Sequence, residues 1–348
     1  MRKPEYAVII ISMVTLKDIA RECNVSFSTV SKALKGDSEI SAETRRLVQE
    51  MAKKMGYHPN LAARTLRTKR TFDIGVIFED KTGAGFLHQY FATVLSGLQG
   101  VAQEKGYEIT LTSTKTLQGY DYYNHMKSRG FDGIAILSTD FNSPEILALV
   151  QSEIPTVTLD YFFDARHTAV MSDNEVGIRQ LAEYVISRGH RKIAMIHGED
   201  TLVTRERLQS FRKTCAANGI NLPDEYFAEA LYNDPFTSAE ATNILLSLPN
   251  PPTCIFYPDD YSALGGIREL NARGMVPGQD ISIAGYDGIM LTSMMIPPLT
   301  TYEQDGRKIG GKIAENLIAS IELGKSYKPQ KMIVSGRIFH GSTVRELT

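Results

Sequence analysis

Apolar positions along the chain follow two different periods. Over residues 14–56 they fall at helical spacing in three short runs. Leu16, Ile19, Ala20 and Cys23 make the first, opened by Thr15 and Asp18 in the Thr-x-x-Asp order of a capping box. Asn24 ends it. Ser26 is placed to cap a second run carrying Phe27, Val30 and Leu34, which Gly36-Asp37 breaks. Ser41 opens a third, with Leu47, Val48, Met51, Ala52 and Met55 as its stripe and Gly56 as its stop. Three short helices with a tight turn between the first two predict a helix-turn-helix over residues 14–58.

Residues 59–71 interrupt the pattern. Pro59 stops the third helix and Asn60 is placed to cap another short one. That stretch, "PNLAARTLRTKRT", has four Arg/Lys and few apolar residues. Alone it is too short and too polar to hold a helix; docked on something anionic it can form one.

From Asp73 the texture changes to short β-rich runs bounded by Gly, Pro or Asp. "DIGVIF" (73–78), "EITLT" (108–112), "GIAIL" (133–137), "PTVTL" (155–159), "KIAMIH" (192–197), "TCIFY" (253–257) and "DISIAGYD" (280–287) are predicted strands, most of them separated by helical stretches. Buried parallel strands in α/β layers read this way. The length of the segment fits two α/β lobes better than one sheet. The expected lobes are residues 72–173 with 304–331, and 174–303 with 332–345.

Composition changes little: 348 residues, 43% hydrophobic and 22% charged, are those of a soluble globular chain with material for a core. Charge changes more. The net charge is −2, yet residues 14–70 hold twelve Lys/Arg against six Asp/Glu, and residues 71–348 hold 24 against 33. A basic head on an acidic body predicts that only the head meets a polyanion. Cys23, Cys215 and Cys254 are far apart and fit no metal-ligand spacing, so they are expected as reduced thiols, with no metal and no cofactor. The start, "MRKPEYAVIIISM", imitates a signal peptide, but its apolar run is short and a helix signal follows at once. Residues 1–13 are read as a tail or as sequence preceding a start at Met13. No apolar run is long enough to span a membrane, and a cytoplasmic protein is expected.

The stretch "NVSFSTVSKALKGD" (24–37) concentrates small hydroxyls before a lysine. Ser28 and Lys32 are four apart and share a helix face. At the N-terminal end of a major-groove helix, hydroxyls allow close approach and a lysine reaches guanine O6/N7. The alternative is an N-cap followed by a solvated face. Two decoys fall away: "GAGFLH" lacks the third glycine of a dinucleotide fingerprint, because His88 stands there, and His190 near a turn reads as structural. No nucleophile is paired with a base, so no catalytic residues are expected.

The motifs "TLKDIA", "VS…TVSKAL", "YHPNLAARTL" and "IGVI", in that order, resemble the start of a LacI/GalR-family transcription regulator. "SDNEVGIRQLAEYVISRGHRKIAMI", "DDYSALGGIRELNARGMVPGQDISIAGYDG" and "PPLTTYEQD" extend the resemblance from Val14 almost to the end. It implies an all-α head and hinge helix followed by a two-lobed periplasmic-binding-protein-like α/β domain. It also implies that Phe27, Ser28 and Lys32 read bases, and that Ser26, Thr29 and Ser31 contact phosphate or cap. Leu66 then wedges into the minor groove, while Arg64 and Arg67 hold phosphates; Thr15 and Asn60 complete the DNA-facing set. For the body it implies a ligand between the lobes, most simply a sugar. By motif position the ligand residues are Asp80, Phe86, Asp160, Arg205, Arg207, Phe236, Asp259, Asp287 and Gln304. Carboxylates accept from vicinal hydroxyls, Arg donates, and aromatic rings cover the sugar's C–H face. Asp260 is read either as a helix cap or as a ligand contact, and Arg205 and Arg207 are not distinguished. Ser210 stands where the family usually has glycine.

The reading is a repressor, a homodimer on a near-palindromic double-stranded operator, with affinity set by a small effector. The alternatives are a catabolite-type regulator controlled by a phosphorylated partner protein, a plain solute-binding module, and an α/β enzyme.

Overall fold

A computed structural model describes residues 14–34, 36–57, 65, 68–79, 85–112 and 121–347, leaving aside the side chain of Phe86. The tail 1–13 and most of the hinge segment lie outside the described residues. The chain divides into two units, Met1–Thr71 and Phe72–Thr348.

In the first unit the local signals decide the ends of the helices. Helices α1 (Leu16–Glu22), α2 (Phe27–Leu34) and α3 (Ala42–Lys54) form where the apolar stripes run. The capping box closes: Asp18 N–H donates to Thr15 Oγ1 at 3.4 Å, and Thr15 N–H donates to Asp18 Oδ2 at 2.9 Å. Two donors that the helix itself cannot satisfy are thereby paired. Asn24, at φ 51°, makes the turn between α1 and α2, a conformation its short polar side chain tolerates. Ile19, Val30, Ala33 and Val48 are wholly buried and join the three helices. Each fully buried Ile or Val contributes about 1.5–3 kcal/mol, so the small unit rests on few residues.

The second unit holds two six-stranded sheets. In the first, β1 (Asp73–Phe78), β2 (Glu108–Thr112), β3 (Gly133–Ser138), β4 (Thr156–Leu159), β5 (Thr168–Ser172) and β11 (Lys331–Val334) run in the order β11-β5-β4-β3-β1-β2, all parallel. In the second, β6 (Ile193–His197), β7 (Phe227–Glu229), β8 (Cys254–Phe256), β9 (Ser282–Asp287), β10 (Thr300–Glu303) and β12 (Arg337–Phe339) run β12-β10-β9-β8-β6-β7. Only the β10–β12 pair there is antiparallel. The inner strands are unbroken apolar runs because helices cover both faces.

Around these sheets lie α4 (Gln89–Glu104), α5 (Tyr122–Arg129), α6 (Pro144–Val150), α7 (Asn174–Ser187), α8 (Leu202–Ala217), α9 (Pro235–Leu246), α10 (Asp260–Ala272), α11 (Met290–Ser293) and α12 (Gly306–Leu323). Helices α4 and α12 touch backbone to backbone: a Cβ on Gly310 would sit 1.9 Å from the Val94 carbonyl oxygen.

The chain passes between the sheets after β5, after β10 and after β11. The last passage differs from the expected boundary at 331. Lys331–Val334 pairs with β5 in the first sheet, and the crossing falls at Ser335-Gly336. Strands β5, β7, β10, β11 and β12 were not predicted as strands. The last two are edge strands whose register is set by tertiary neighbours rather than by their own pattern.

No described helix is long and apolar enough to cross a membrane. Cys23, Cys215 and Cys254 are free and buried. Among the described residues, no group of three or more His, Cys, Asp or Glu side chains could hold a metal ion.

Candidate functional site

Helix α2 turns Val30 and Ala33 into the core of the first unit, which leaves its other face outward. Ser26 Oγ caps it by accepting from Thr29 N–H at 3.1 Å, and lies 2.7 Å from Ser28 Oγ and 2.8 Å from Thr29 Oγ1. Ser26 therefore has a folding role whatever else it touches. Ser28 and Lys32 are exposed one turn apart, Thr29 and Ser31 are half-buried, and Phe27 is 52% exposed. Lys32 Nζ is in ion-paired contact with the Glu39 carboxylate. That hydrogen bond and charge raise the lysine pKa. Glu39 was not among the expected residues, since it lies beyond the helix in a loop with no motif of its own. Thr15 is occupied by its capping box. Asn60, Arg64, Leu66 and Arg67 lie outside the described residues.

In the second unit a cavity of about 290 Å³ is lined from both sheets. Its walls come from the carboxyl ends of parallel strands and the loops after them, where the open ends of α/β sheets collect ligands. Four expected ligand residues line it: Asp160, Arg207, Asp287 and Gln304. Asp160 follows β4, Asp287 ends β9, and Gln304 follows β10.

Arg207 is 5% exposed and fixed on three sides. Its Nε donates to Asn174 Oδ1 at 2.8 Å, its Nη1 donates to the Pro258 carbonyl at 2.9 Å, and its guanidinium carbon lies 3.7 Å from the Tyr286 ring centroid. Gln304 Nε2 donates to Asp287 Oδ1 at 2.7 Å. Ser172 Oγ donates to Asp160 Oδ2 at 3.0 Å. Burial pushes Asp160 up to about 6 against the hydrogen bonds of Ser172 and the charge of Arg207. Burial also raises Asp287 well above the usual carboxylate range, and Arg207 opposes it. Both aspartates hold left-handed backbone, at φ 53° and 103°, a conformation uncommon outside glycine. Strain of that kind persists where the surroundings over-determine it, and it clusters at ligand sites.

The other expected ligand residues separate from this group. Arg205 is an exposed partner of Asp200, with Nε–Oδ1 and Nη2–Oδ2 both at 2.6 Å, and does not line the cavity. Residues 205 and 207 lie about 200° apart around a helix, so only one can face the cleft. Asp259 is the N-cap of α10: it accepts from Ser262 N–H at 2.7 Å and from Asn233 N–H at 2.8 Å. Its oxygens are engaged in the fold, and it is not among the residues that line the cavity. Asp260 is neither that cap nor a lining residue; wholly buried, it accepts from Ile289 N–H at 2.8 Å and Thr301 Oγ1 at 2.6 Å. Phe236 is 67% exposed, with Arg268 over its ring, and is not on the wall. Asp80 and the Phe86 side chain lie outside the description. Ser210, in the place of a usual glycine, is accommodated by donating to the Glu175 carbonyl at 2.7 Å. His190 is wholly buried among Thr253, Ser282 and the Arg345 carbonyl.

Several lining residues carry no motif: Glu79, Tyr90, Phe141, Tyr161, Glu199 and Tyr232. Glu79 was findable, because it immediately follows β1 at the carboxyl end. Phe141, Tyr161 and Tyr232 were not, because they sit on irregular loops, and Tyr90 reads as one more apolar position of α4. A second cavity of about 570 Å³ shares Tyr90, Asp287 and Gln304 with the first and runs along the crossing segments near Arg307 and Arg337.

Comparison with known proteins agrees with these two units. A model of bacterial regulatory proteins of the lacI family matches residues 15–60, and a periplasmic binding protein-like domain matches residues 182–344. The chain is 31% identical over 339 residues to the "Probable HTH-type transcriptional repressor ExuR" of Bacillus subtilis, covering 97% of this chain and 100% of that protein. It is 28% identical to the HTH-type transcriptional repressor PurR of Vibrio cholerae, covering 97% and 99%. Its fold matches that of the lac repressor dimer bound to operator and the anti-inducer ONPF, with a TM-score of 0.78 at 24% identity over 96% and 100% of the two chains. The chain belongs to the lacI family of bacterial regulatory proteins and is a DNA-binding transcriptional regulator of the repressor type.

Proposed function

We propose that the protein is a cytoplasmic homodimer that binds a near-palindromic operator, and that a small sugar-like effector in the 290 Å³ cavity sets its operator affinity. The observation that carries the effector reading is the joining of Arg207, Asp160, Asp287 and Gln304 in one cavity at strand ends. Two carboxylates and a fixed guanidinium suit the vicinal hydroxyls and ring oxygen of a polyol. One helix-turn-helix per chain supports two chains per palindrome. An apolar patch supports the same conclusion: Met290, Met294 and Ile296 are 61%, 70% and 98% exposed on one short segment. Light scattering at micromolar concentration is expected to give a dimer.

Phe27, Ser28 and Lys32 are our candidates for base readout, with Ser26, Thr29 and Ser31 at phosphates. Hinge residues Arg64, Leu66 and Arg67 are proposed to dock on the operator centre, Leu66 as a wedge. Ligand shifts the balance between two lobe arrangements, and thereby the hinge. No turnover of the effector is part of this reading.

A thermal-shift screen tests it, using mono- and disaccharides, sugar phosphates, sugar acids, nucleosides and purines. A ligand at 100 times its Kd adds about 2.7 kcal/mol of stability. A sugar hit supports the reading. A blank panel shifts weight to a phosphorylated protein partner, the catabolite-type alternative.

A further inference from the structure

The 290 Å³ cavity is rich in hydrogen-bond acceptors and poor in free donors. Five carboxylates line it, those of Glu79, Asp140, Asp160, Glu199 and Asp287, against the guanidinium of Arg207 and the imidazole of His88. None of the five is in an ion pair with a described residue. Donors on the wall are spent on the protein itself. Thr139 Oγ1 donates to Glu79 Oε2 at 2.8 Å, Ser138 Oγ to the Glu79 carbonyl at 2.8 Å, and the Tyr161 hydroxyl to Asn142 Oδ1 at 3.0 Å. Arg207 is 5% exposed and uses Nε and Nη1 on Asn174 and Pro258; its Nη2 makes no hydrogen bond to a described residue. The acceptors are not spent. A carboxylate takes about four hydrogen bonds. Among the described residues, Glu199 accepts one, from the Tyr232 N–H at 3.0 Å, and the Asp287 carboxylate one, from Gln304.

Arg207 bears on Asp160 and Asp287, whose charges it favours against burial. Glu79 and Glu199 remain as an acidic pair, one from each sheet: Glu79 directly follows β1, and Glu199 lies two residues past β6. Thr139, which holds Glu79, is two residues before Phe141. Phe141 and Tyr161 stack with centroids 4.5 Å apart and planes within 10°, and Phe163 braces Tyr161 at 4.7 Å, so the half-buried pair forms a platform on the same wall. Carboxylates beside aromatic faces suit an ammonium, which donates three hydrogen bonds, accepts none and is attracted to ring faces. A ligand carboxylate or phosphate would meet like charge there, which is costly. We infer that the effector is a cation: a polyol bearing a protonated amine, with hydroxyls on Asp160, Arg207, Asp287 and Gln304 and the ammonium between Glu79 and Glu199. This rests on the sugar reading above and specifies its charge. The ammonium then bridges the two sheets.

The test is calorimetric titration of the full chain with sugars matched in shape and differing in charge. Glucose, galactose and mannose are compared with their 2-amino and 6-amino forms, the neutral N-acetyl version of each amine, and their uronic acids. Purine bases complete the set. At least one amino sugar is expected to bind about tenfold more tightly than both its hydroxyl parent and its N-acetyl version, the gain of a charge-assisted hydrogen bond. The uronic acids are expected to bind most weakly. Glu199→Gln keeps the side-chain size and an acceptor for the Tyr232 N–H while removing the charge, and Glu79→Gln does the same on the other sheet. Each is expected to cut the amine's advantage to within about threefold, the charge-assisted part of the bond being lost. Neutral or acidic sugars that bind as tightly as their amines, or an amine advantage that survives in both variants, overturn the inference and leave the sugar reading intact. Binding of a purine, or of no sugar of any charge, overturns both.

Discussion

Gln304 holds Asp287 twice: its side-chain Nε2 donates to Oδ1 at 2.7 Å, and its backbone N–H donates to the Asp287 carbonyl at 3.1 Å. Asp287 ends a strand of the second sheet, while Gln304 starts the passage back to the first. A ligand that accepts or donates at Asp287 therefore acts on a segment joining the two halves. Gln304→Ala is expected to weaken effector binding about tenfold or more, the loss of one hydrogen bond to a charged group. It is also expected to shrink the effect of ligand on DNA. Paired titrations of ligand and operator check both.

Effector affinity is expected to depend on pH through Asp160. Its carboxyl titrates at about 6 because burial disfavours the charge. Hydroxyl groups of a ligand need the ionised acceptor. Affinity should fall as pH drops through 6, with Asp160→Asn weaker and lacking that step, while Asp287, also raised by burial, remains in both proteins. Calorimetry between pH 5 and 8 measures this.

Stability carries the opposite pH signature through Asp260, which burial raises to about 7. In the unfolded chain an Asp titrates near 3.9, as a general reference value. Between those values the folded state binds a proton that the unfolded state does not. Stability contributed at this site is thus greatest at low pH, declines from about pH 4 to 7, and is level above that. Urea melts should show wild type losing stability relative to Asp260→Asn as pH rises from 5 to 7.5. Parallel pH profiles would contradict the assignment.

Lys32 cannot stay paired with Glu39 while reaching a base. Glu39→Gln frees the lysine and removes a negative charge near the phosphates. It is expected to tighten binding to all DNA and to raise the salt slope modestly. Lys32→Ala is expected to cost about 1–3 kcal/mol at one base pair and to relax preference there. Anisotropy titrations against operator and scrambled duplexes at two salt concentrations separate the two variants.

Where local chemistry decides structure, the sequence was legible. Thr15/Asp18, Ser26 and Ser41 marked helix starts because a cap is a contact across three residues. Strands β1, β3, β4, β6, β8 and β9 were legible because strands buried on both faces are continuous apolar runs, and the edge strand β2 because its Ile and Thr residues favour strand. Choices settled by distant neighbours were not. Arg207 and Arg205 differ only in which side of α8 faces Asn174 and Tyr286. Asp259, expected at the ligand, is the helix cap, and Asp260, read as a cap or a ligand contact, is a buried anchor, because the fold brings Asn233 to one and Ile289 to the other. The Phe141/Tyr161 platform joins two loops twenty residues apart, and no periodicity announces such a meeting.

The central claim is that the cavity controls DNA affinity, and one titration tests it directly. An operator chosen by in vitro selection with the full chain is titrated at fixed salt, with and without saturating effector, for wild type and Arg207→Lys. Lysine keeps the charge but cannot reproduce the guanidinium fork to Asn174 and Pro258. The account predicts that effector changes the wild-type operator Kd by roughly 5- to 150-fold, the usual range of such coupling. It also predicts that Arg207→Lys loses most of this response while its ligand-free Kd stays within about twofold. An operator Kd unchanged by saturating effector in wild type would contradict it.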